Sequence, residues 1–169
     1  MTGLRPSFGM TDSSPTSVLF VCLGNICRSP LAEGVFLHLV AESGVADEIE
    51  VDSAGTGAWH VGERPDPRSL EVAERHGIEL PGHARRVGEE DFHRFDRIVA
   101  MDRSNLSDLE SLRPAGSEAT LELLRDHDPD QGDGEVPDPY YGGDDGFDRV
   151  YTMVRRSCAA LLDEVLSTR

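Results

Sequence analysis

The sequence predicts a three-layer α/β fold, in which helices cover both faces of a four-stranded, mostly parallel sheet. Short apolar runs rich in β-branched residues alternate along the chain with stretches whose apolar residues recur every three or four positions. The length of 169 residues suits one hydrophobic core. No internal repeat and no apolar run long enough to span a membrane interrupts this pattern.

The first predicted strand and helix enclose a short loop. Residues 1–16 are rich in Ser, Thr, Pro and Gly, and are predicted to be a flexible N-terminal tail. Residues 17–21 form an apolar run typical of a buried parallel strand. A loop over residues 22–28 follows. Ser29 and Pro30 are then predicted as the N-cap and the first residue of a helix.

The remaining elements continue the alternation of strands and helices. Three further strands are predicted over residues 49–54, 95–101 and 120–124. Further helices are predicted over residues 68–76 and 104–112 and from residue 147 to the end of the chain. A long acidic loop rich in Gly and Pro precedes the last helix. These elements predict one folded domain over residues 17–169.

The amino-acid composition indicates which binding partners, compartment and cofactors to expect. Thirty-two acidic residues face sixteen arginines and no lysine, which gives a net charge of −16. Such a chain is expected to avoid nucleic acid and anionic membranes, and its acidic surface favours a monomer. Three cysteines are a poor disulfide framework and favour a reducing compartment, so a cytoplasmic location is expected. No Cys and His spacing suggests a metal site, so neither a metal nor a cofactor is expected.

The loop after the first strand carries the strongest chemical signal, a cysteine followed after five residues by an arginine. Between a strand and a helix N-terminus, such a loop can curl so that its backbone N–H groups cradle an anion. Gly24 and Asn25 tolerate the positive φ that the curl needs. Arg28 can bind two phosphate oxygens, and Ser29 can donate its hydroxyl to the Cys22 sulfur. These positive surroundings favour a thiolate, which predicts Cys22 as a nucleophile toward phosphate esters.

A carboxylate in the acidic loop is the candidate proton donor. Asp138 lies between Pro137 and Pro139, which hold it stiffly because proline restricts both itself and the preceding residue. Chemistry alone does not select it among 32 carboxylates, since Pro-Asp-Pro is also a common turn.

Residues 18–33, which include the whole loop, resemble the signature of the low-molecular-weight protein tyrosine phosphatases. The resemblance covers residues 17–168 and recurs in order in Asp52-Ser53-Ala54-Gly55-Thr56, Trp59-His60-Val61-Gly62, Asp66-Pro67-Arg68, Gly82-His83-Ala84-Arg85, Met101-Asp102 with Asn105, and Asp138-Pro139-Tyr140-Tyr141-Gly142. It implies a flavodoxin-like strand order 2-1-3-4. It also implies metal-independent hydrolysis of phosphotyrosine through a cysteinyl-phosphate, with Asp138 as general acid and base.

The resemblance further implies roles for the residues around the nucleophile. Beside catalytic Cys22, Arg28 and Asp138, the phosphate-binding loop would comprise Leu23, Gly24, Asn25, Ile26, Cys27 and Ser29. Trp59, Tyr140 and Tyr141 would form aromatic walls of the substrate pocket, and Ser53 and His83 would support the loop together with Asn25. The implied partner is a phosphotyrosine protein, which for bacterial relatives is often a tyrosine kinase.

Three alternatives remain open from the sequence. A thioredoxin-linked arsenate reductase of the same scaffold needs further cysteines, and Cys158 is predicted to be buried on the last helix. Phosphoarginine phosphatases of this fold tend to have a polar residue at the position of Ile26 and to lack the tyrosine pair. A non-catalytic phosphoprotein-binding module would be expected to lack the nucleophile or the acid.

Overall fold

The structure is a computed structural model that describes residues 14–140, 142 and 144–168. Most of the predicted tail and Tyr141 lie outside the described residues. Thr16, the last residue of the predicted tail, already belongs to the first strand.

The sheet has the predicted architecture. Its strands are β1 (Thr16–Cys22), β2 (Ile49–Gly55), β3 (Arg97–Ala100) and β4 (Thr120–Leu123). All pairings are parallel, in the order β2-β1-β3-β4, which confirms the α/β class and the strand order. Central β1 is apolar because both faces of the sheet are covered.

Helices cover both faces of the sheet. In the described part of the chain they are α1 (Arg28–Glu42), α2 (Pro67–Arg75), α3 (Asp91–Arg94), α4 (Arg103–Leu112) and α5 (Asp144–Ser167). The core that includes α1, α2 and α5 contains Phe20 and Phe36, whereas the core on the other face contains Leu19 and Phe92. None of the described helices has the length and apolarity needed to cross a membrane.

Helix α1 begins one residue before the predicted N-cap. Cys27 occupies the N-cap position, so Ser29 and Pro30 lie inside the first turn and the capping prediction was wrong. The hydroxyl of Ser29 instead contacts the sulfur of Cys22, at 3.0 Å. Helix α2 begins at Pro67, because the Asp66 carboxylate caps it by accepting a hydrogen bond from the backbone N–H of Arg68.

Hydrogen bonds hold the acidic loop before α5 at several positions ahead of Asp138. A 3-10 turn over residues 124–127 brings in Arg125, which donates to the carbonyls of Asp130 and Glu135. Farther along, the backbone N–H of Val136 donates to the carbonyl of Met101, the residue directly after β3, at 2.8 Å. These contacts fix the loop that carries Asp138 beside the carboxyl ends of the strands, where parallel sheets of this kind bind ligands.

Candidate active site

The segment between β1 and α1 is curled, as predicted. Asn25 adopts a left-handed backbone conformation with φ of +57°, and its N–H points at the sulfur of Cys22, 3.3 Å away. Gly55, at the end of the neighbouring strand, makes room for the curl. A Cβ there would lie 2.8 Å from the carbonyl oxygen of Leu23, so a larger residue would displace the loop.

The side chain of Asn25 stabilises the curled loop through hydrogen bonds to three neighbouring residues. Its amide group donates to Ser29 Oγ at 2.8 Å and to Ser53 Oγ at 3.1 Å, and its carbonyl oxygen accepts from the backbone N–H of Arg85 at 3.0 Å. Ser29 Oγ accepts this hydrogen bond, and its own hydrogen has two acceptors within reach, the sulfur of Cys22 at 3.0 Å and the carbonyl oxygen of Ala54 at 3.4 Å. The structure therefore brings together the predicted support residues Asn25 and Ser53.

The prediction that His83 supports the loop was wrong. Its side chain is exposed, and Arg85 makes the contact with Asn25 instead, through a backbone N–H. The guanidinium of Arg85 also bridges Asp52 and Asp91, which fixes the segment against the sheet. Sequence reasoning missed this role, although Arg85 belongs to the same Gly-His-Ala-Arg motif.

Glu33 extends the network into the protein and was also missed. The Ser53 hydroxyl donates to Glu33 Oε1 at 2.6 Å, on the buried side of α1. Burial raises the pKa of Glu33 to about 7 despite this hydrogen bond, and the nearby Asp52 adds to the rise. The one available sequence signal was its place at the end of the signature, residues 18–33.

Arg28 projects from the first turn of α1 toward the opening of the loop. Its Nη1 donates to Asp102 Oδ2 at 2.7 Å and to the carbonyl of Val136 at 3.0 Å, and its Nη2 lies 3.6 Å from Asp138 Oδ2. Burial opposes the charged form, yet the negative groups of Cys22, Asp102 and Asp138 keep its pKa above the ordinary value. In the sequence Asp102 belongs to the Met101-Asp102 motif, which by itself does not indicate this role.

Asp138 lies at the rim of the site, with 39% of its side chain exposed. Its Oδ1 accepts a hydrogen bond from the backbone N–H of Tyr140 at 3.0 Å, which sets the rotation of the carboxylate. The prolines at positions 137 and 139 were expected to stiffen this residue, and the turn that the Tyr140 contact closes adds to the constraint.

The cavity over the loop has a volume of about 410 Å³. Its lining comprises Cys22, Leu23, Gly24, Ile26, Cys27, Arg28, Trp59, His60, Asp138 and Tyr140. Trp59 is 71% exposed, which agrees with a position at the entrance of the cavity, and Tyr140 is partly buried. His60 was not predicted; its ring lies 6.1 Å from that of Tyr140 and its Nδ1 lies 3.1 Å from Glu63 Oε1. The predicted contribution of Tyr141 lies outside the described residues.

The other two cysteines differ from Cys22 in their surroundings. Burial, followed by the charges of Asp66, Cys22 and Asp138, raises the pKa of Cys27 to about 12. Cys158 is fully buried on α5, as predicted, and burial raises the pKa of its thiol. In the described ranges, no three His, Cys, Asp or Glu side chains form a group that could hold a metal ion.

Comparison with known proteins gives one consistent family. The family model described as low molecular weight phosphotyrosine protein phosphatase matches residues 17–169. A protein of that description from Schizosaccharomyces pombe is 50% identical over 138 residues, which are 81% of this chain and 88% of the relative.

Solved structures agree with this result. A protein tyrosine phosphatase from Entamoeba histolytica superposes with a TM-score of 0.87 at 36% identity, over 90% of this chain and 98% of the other. The structure titled as a Drosophila arginine phosphatase is also similar, with a TM-score of 0.82, 37% identity, and coverage of 88% and 96%.

Proposed function

The chain belongs to the low molecular weight phosphotyrosine protein phosphatase family, and from this membership we propose that it hydrolyses phosphotyrosine in proteins through a cysteinyl-phosphate intermediate. One observation carries the proposal. Cys22 and Arg28, at the two ends of the loop between β1 and α1, line the same cavity as Asp138, from the acidic loop before α5. The proposed nucleophile Cys22 thus lies in one cavity with Arg28, which can bind the phosphate, and with Asp138, which can protonate the leaving group.

In the first step, the Cys22 thiolate attacks phosphorus and the bond from phosphorus to the tyrosine oxygen breaks. Asp138, in its protonated form, gives its proton to the departing oxygen, so that a neutral phenol leaves. Arg28 stabilises the charge on the phosphoryl oxygens, and we propose that backbone N–H groups of the curled loop do so as well. The buried position of Arg28 makes these interactions stronger than they would be in water.

In the second step, water attacks the phosphorus of the cysteinyl-phosphate. Asp138, now ionised, accepts a proton from this water, and the bond from sulfur to phosphorus breaks to release phosphate and the thiolate. The hydroxyl of Ser29, 3.0 Å from the sulfur, stabilises the thiolate as it leaves.

We propose that both steps proceed without a metal, because Arg28 and the loop amides already provide the positive field that phosphoryl transfer needs. Activity should therefore survive dialysis against EDTA, and a loss restored by one added divalent cation would contradict this part of the proposal.

Phosphoarginine is the second candidate substrate, favoured by the similarity to the structure titled as a Drosophila arginine phosphatase. The cavity favours phosphotyrosine, because apolar Ile26 and the aromatic rings of Trp59 and Tyr140 fit a flat phenyl ring. Assays of phosphotyrosine and phosphoarginine peptides side by side, with vanadate as inhibitor, decide between them. A higher kcat/KM for phosphoarginine would overturn the assignment.

The mechanism is tested by trapping the intermediate. Cys22→Ser should abolish turnover, and Asp138→Asn should slow it by about 100-fold or more while phosphate still binds. Asp145, an exposed carboxylate at the start of α5, supplies the matched control Asp145→Asn, which should retain activity. Rapid quenching with a radiolabelled substrate should show phosphoenzyme in the wild type and none in the Cys22→Ser variant. An active Asp138→Asn variant would remove this residue from the scheme.

A further inference from the structure

We propose that Arg68 is a positioning residue that holds the Asp138 segment at a fixed distance from the phosphate-binding loop. The inference rests on the proposed function, because it assigns Arg68 an effect on proton transfer by Asp138. Arg68 is not among the described residues that line the cavity, so it acts through its neighbours and not on the substrate.

The first link joins the phosphate-binding loop to the start of α2. The backbone N–H of Asp66 donates to the carbonyl of Ile26 at 2.8 Å. One turn farther on, the hydroxyl of Ser69 donates to the carbonyl of Cys27 at 3.2 Å. Two consecutive carbonyls of the loop are therefore bound by the N-terminal turn of α2, and this turn cannot move without the loop.

The second link is a bidentate ion pair between Asp66 and Arg68. Asp66 Oδ1 lies 3.0 Å from Arg68 Nε, and Oδ2 lies 3.0 Å from Nη2. Oδ1 also caps α2 by accepting the backbone N–H of Arg68. Although burial works in the opposite direction, the pKa of Asp66 lies below its ordinary value, because Arg68 donates three hydrogen bonds to it. This geometry fixes the plane of the guanidinium.

The third link joins that guanidinium to the acid. Its central carbon lies 4.6 Å from the ring centre of Phe147, which is buried near the start of α5, and 5.5 Å from that of Tyr140. The backbone N–H of Tyr140 binds Asp138 Oδ1. Arg68 thus contacts an aromatic ring on each side of the turn that leads from Asp138 into α5, through cation–π interactions that need its planar charge.

The three links form one path from Ile26 to Asp138 through Asp66, Arg68 and Tyr140. A general acid works only when its proton lies within hydrogen-bonding reach of the departing oxygen, and a displacement of about 1 Å can cost about 100-fold in rate. Removing the guanidinium should therefore impair protonation of the leaving group more than attack by the thiolate.

The test measures kcat/KM for a series of aryl phosphates whose phenols range from acidic p-nitrophenol to phenol itself. Loss of acid assistance slows poor leaving groups most, because p-nitrophenolate departs with little help from a proton. Arg68→Met should leave kcat/KM for p-nitrophenyl phosphate within about threefold of wild type and reduce that for phenyl phosphate by at least about tenfold. Arg68→Lys keeps the charge but not the planar guanidinium. Its kcat/KM for phenyl phosphate should lie between that of wild type and that of Arg68→Met.

Arg75→Met is the matched control, since Arg75 also lies on α2 and forms an exposed ion pair with Asp148 on α5, at 3.0 Å. Its dependence on the leaving group should equal that of wild type. Asp138→Asn shows how steeply kcat/KM depends on the leaving group when the general acid is lost completely. If Asp138→Asn shows no steeper dependence, the proposed function itself fails.

The positioning role is overturned if kcat/KM of Asp138→Asn depends more steeply on the leaving group than that of wild type, but the Arg68 variants do not share this. They would then lower kcat/KM equally for all the aryl phosphates, or for none. Thermal unfolding of each variant accompanies the kinetics. Should Arg68→Met not fold, Arg68→Lys alone decides, because a positioning role requires its dependence on the leaving group to be steeper than that of wild type.

Discussion

Asp102 holds Arg28 with one carboxylate oxygen and caps a helix with the other. Oδ2 accepts a hydrogen bond from Arg28 Nη1 at 2.7 Å, while Oδ1 accepts the backbone N–H of Asn105 at 2.8 Å in the first turn of α4. Because the carboxylate occupies Nη1, the Nη2 group of Arg28 is directed toward Asp138. The orientation of Arg28, which we propose binds the phosphate, thus depends on a residue that follows a different strand.

Asp102→Asn tests this dependence. We expect kcat/KM for p-nitrophenyl phosphate to fall by about tenfold or more, since a hydrogen bond between charged groups contributes about 1.5–3 kcal/mol. Asparagine also caps helices, so the melting temperature should change little. Steady-state kinetics and inhibition by inorganic phosphate measure the effect. Asp108→Asn, an exposed change on the same helix, is the control, and equal activity of the two variants would contradict the role assigned to Asp102.

The contrast between Cys22 and Asp102 shows what the sequence can predict. The cysteine loop is local: seven positions contain the proposed nucleophile, the residues that tolerate positive φ, and the arginine, so chain order alone indicates the proposed chemistry. The pairing of Arg28 with Asp102 spans 74 positions and exists only because β3 lies beside β1. Four strands and their order were predicted because apolar runs mark strands and the family resemblance implies their arrangement.

The error at His83 has a different origin. The motif places a histidine and an arginine two positions apart, and both are plausible hydrogen-bond donors. Which of them reaches Asn25 depends on the path of the backbone past β2, where Arg85 binds through its main-chain N–H. A contact made by the backbone leaves no side-chain signal in the sequence, which is why this one was not predicted.

Asn25 should show separable contributions from its backbone and its side chain. Asn25→Gly removes the hydrogen bonds of the side chain but still adopts a φ of +57° easily. Asn25→Ala removes the same hydrogen bonds and also disfavours this φ. We expect both variants to lose activity, and the alanine variant to be less stable by a further amount of about 1 kcal/mol. Urea unfolding and kcat/KM measure the two effects. An alanine variant as stable as the glycine variant would show that the left-handed conformation carries no cost.

The three cysteines should differ in reactivity toward iodoacetamide. Cys22 faces the cavity, where the N–H of Asn25 and the hydroxyl of Ser29 surround its sulfur. Cys27 has a pKa of about 12, so at pH 7 it is almost entirely the unreactive thiol, and Cys158 is fully buried. Mass spectrometry after brief labelling at pH 7 should find the label on Cys22, and phosphate should protect it. Label on Cys27 at a similar rate would contradict this assignment.

Glu33 should make the stability of the protein depend on pH in an unusual direction. Burial raises its pKa from 4.5 to about 7 in the folded state. Between these values the folded state holds a proton that the unfolded state has released, so the free energy of unfolding falls as the pH rises. Above about pH 7 the loss is complete and amounts to about 3 kcal/mol, because each pKa unit corresponds to about 1.4 kcal/mol.

Glu33→Gln removes this dependence, since glutamine stays neutral and its amide oxygen can still accept the hydrogen bond from Ser53. The variant should gain stability relative to wild type as the pH rises from 4.5 to 8, by about 3 kcal/mol over the whole range. Urea unfolding at several pH values measures the difference. Asp52 and Arg85 also act on Glu33, so Glu71→Gln, a change at an exposed position on α2, provides the baseline for other titrating groups. A difference between Glu33→Gln and wild type that stays constant with pH would contradict a raised pKa of Glu33 in the folded protein.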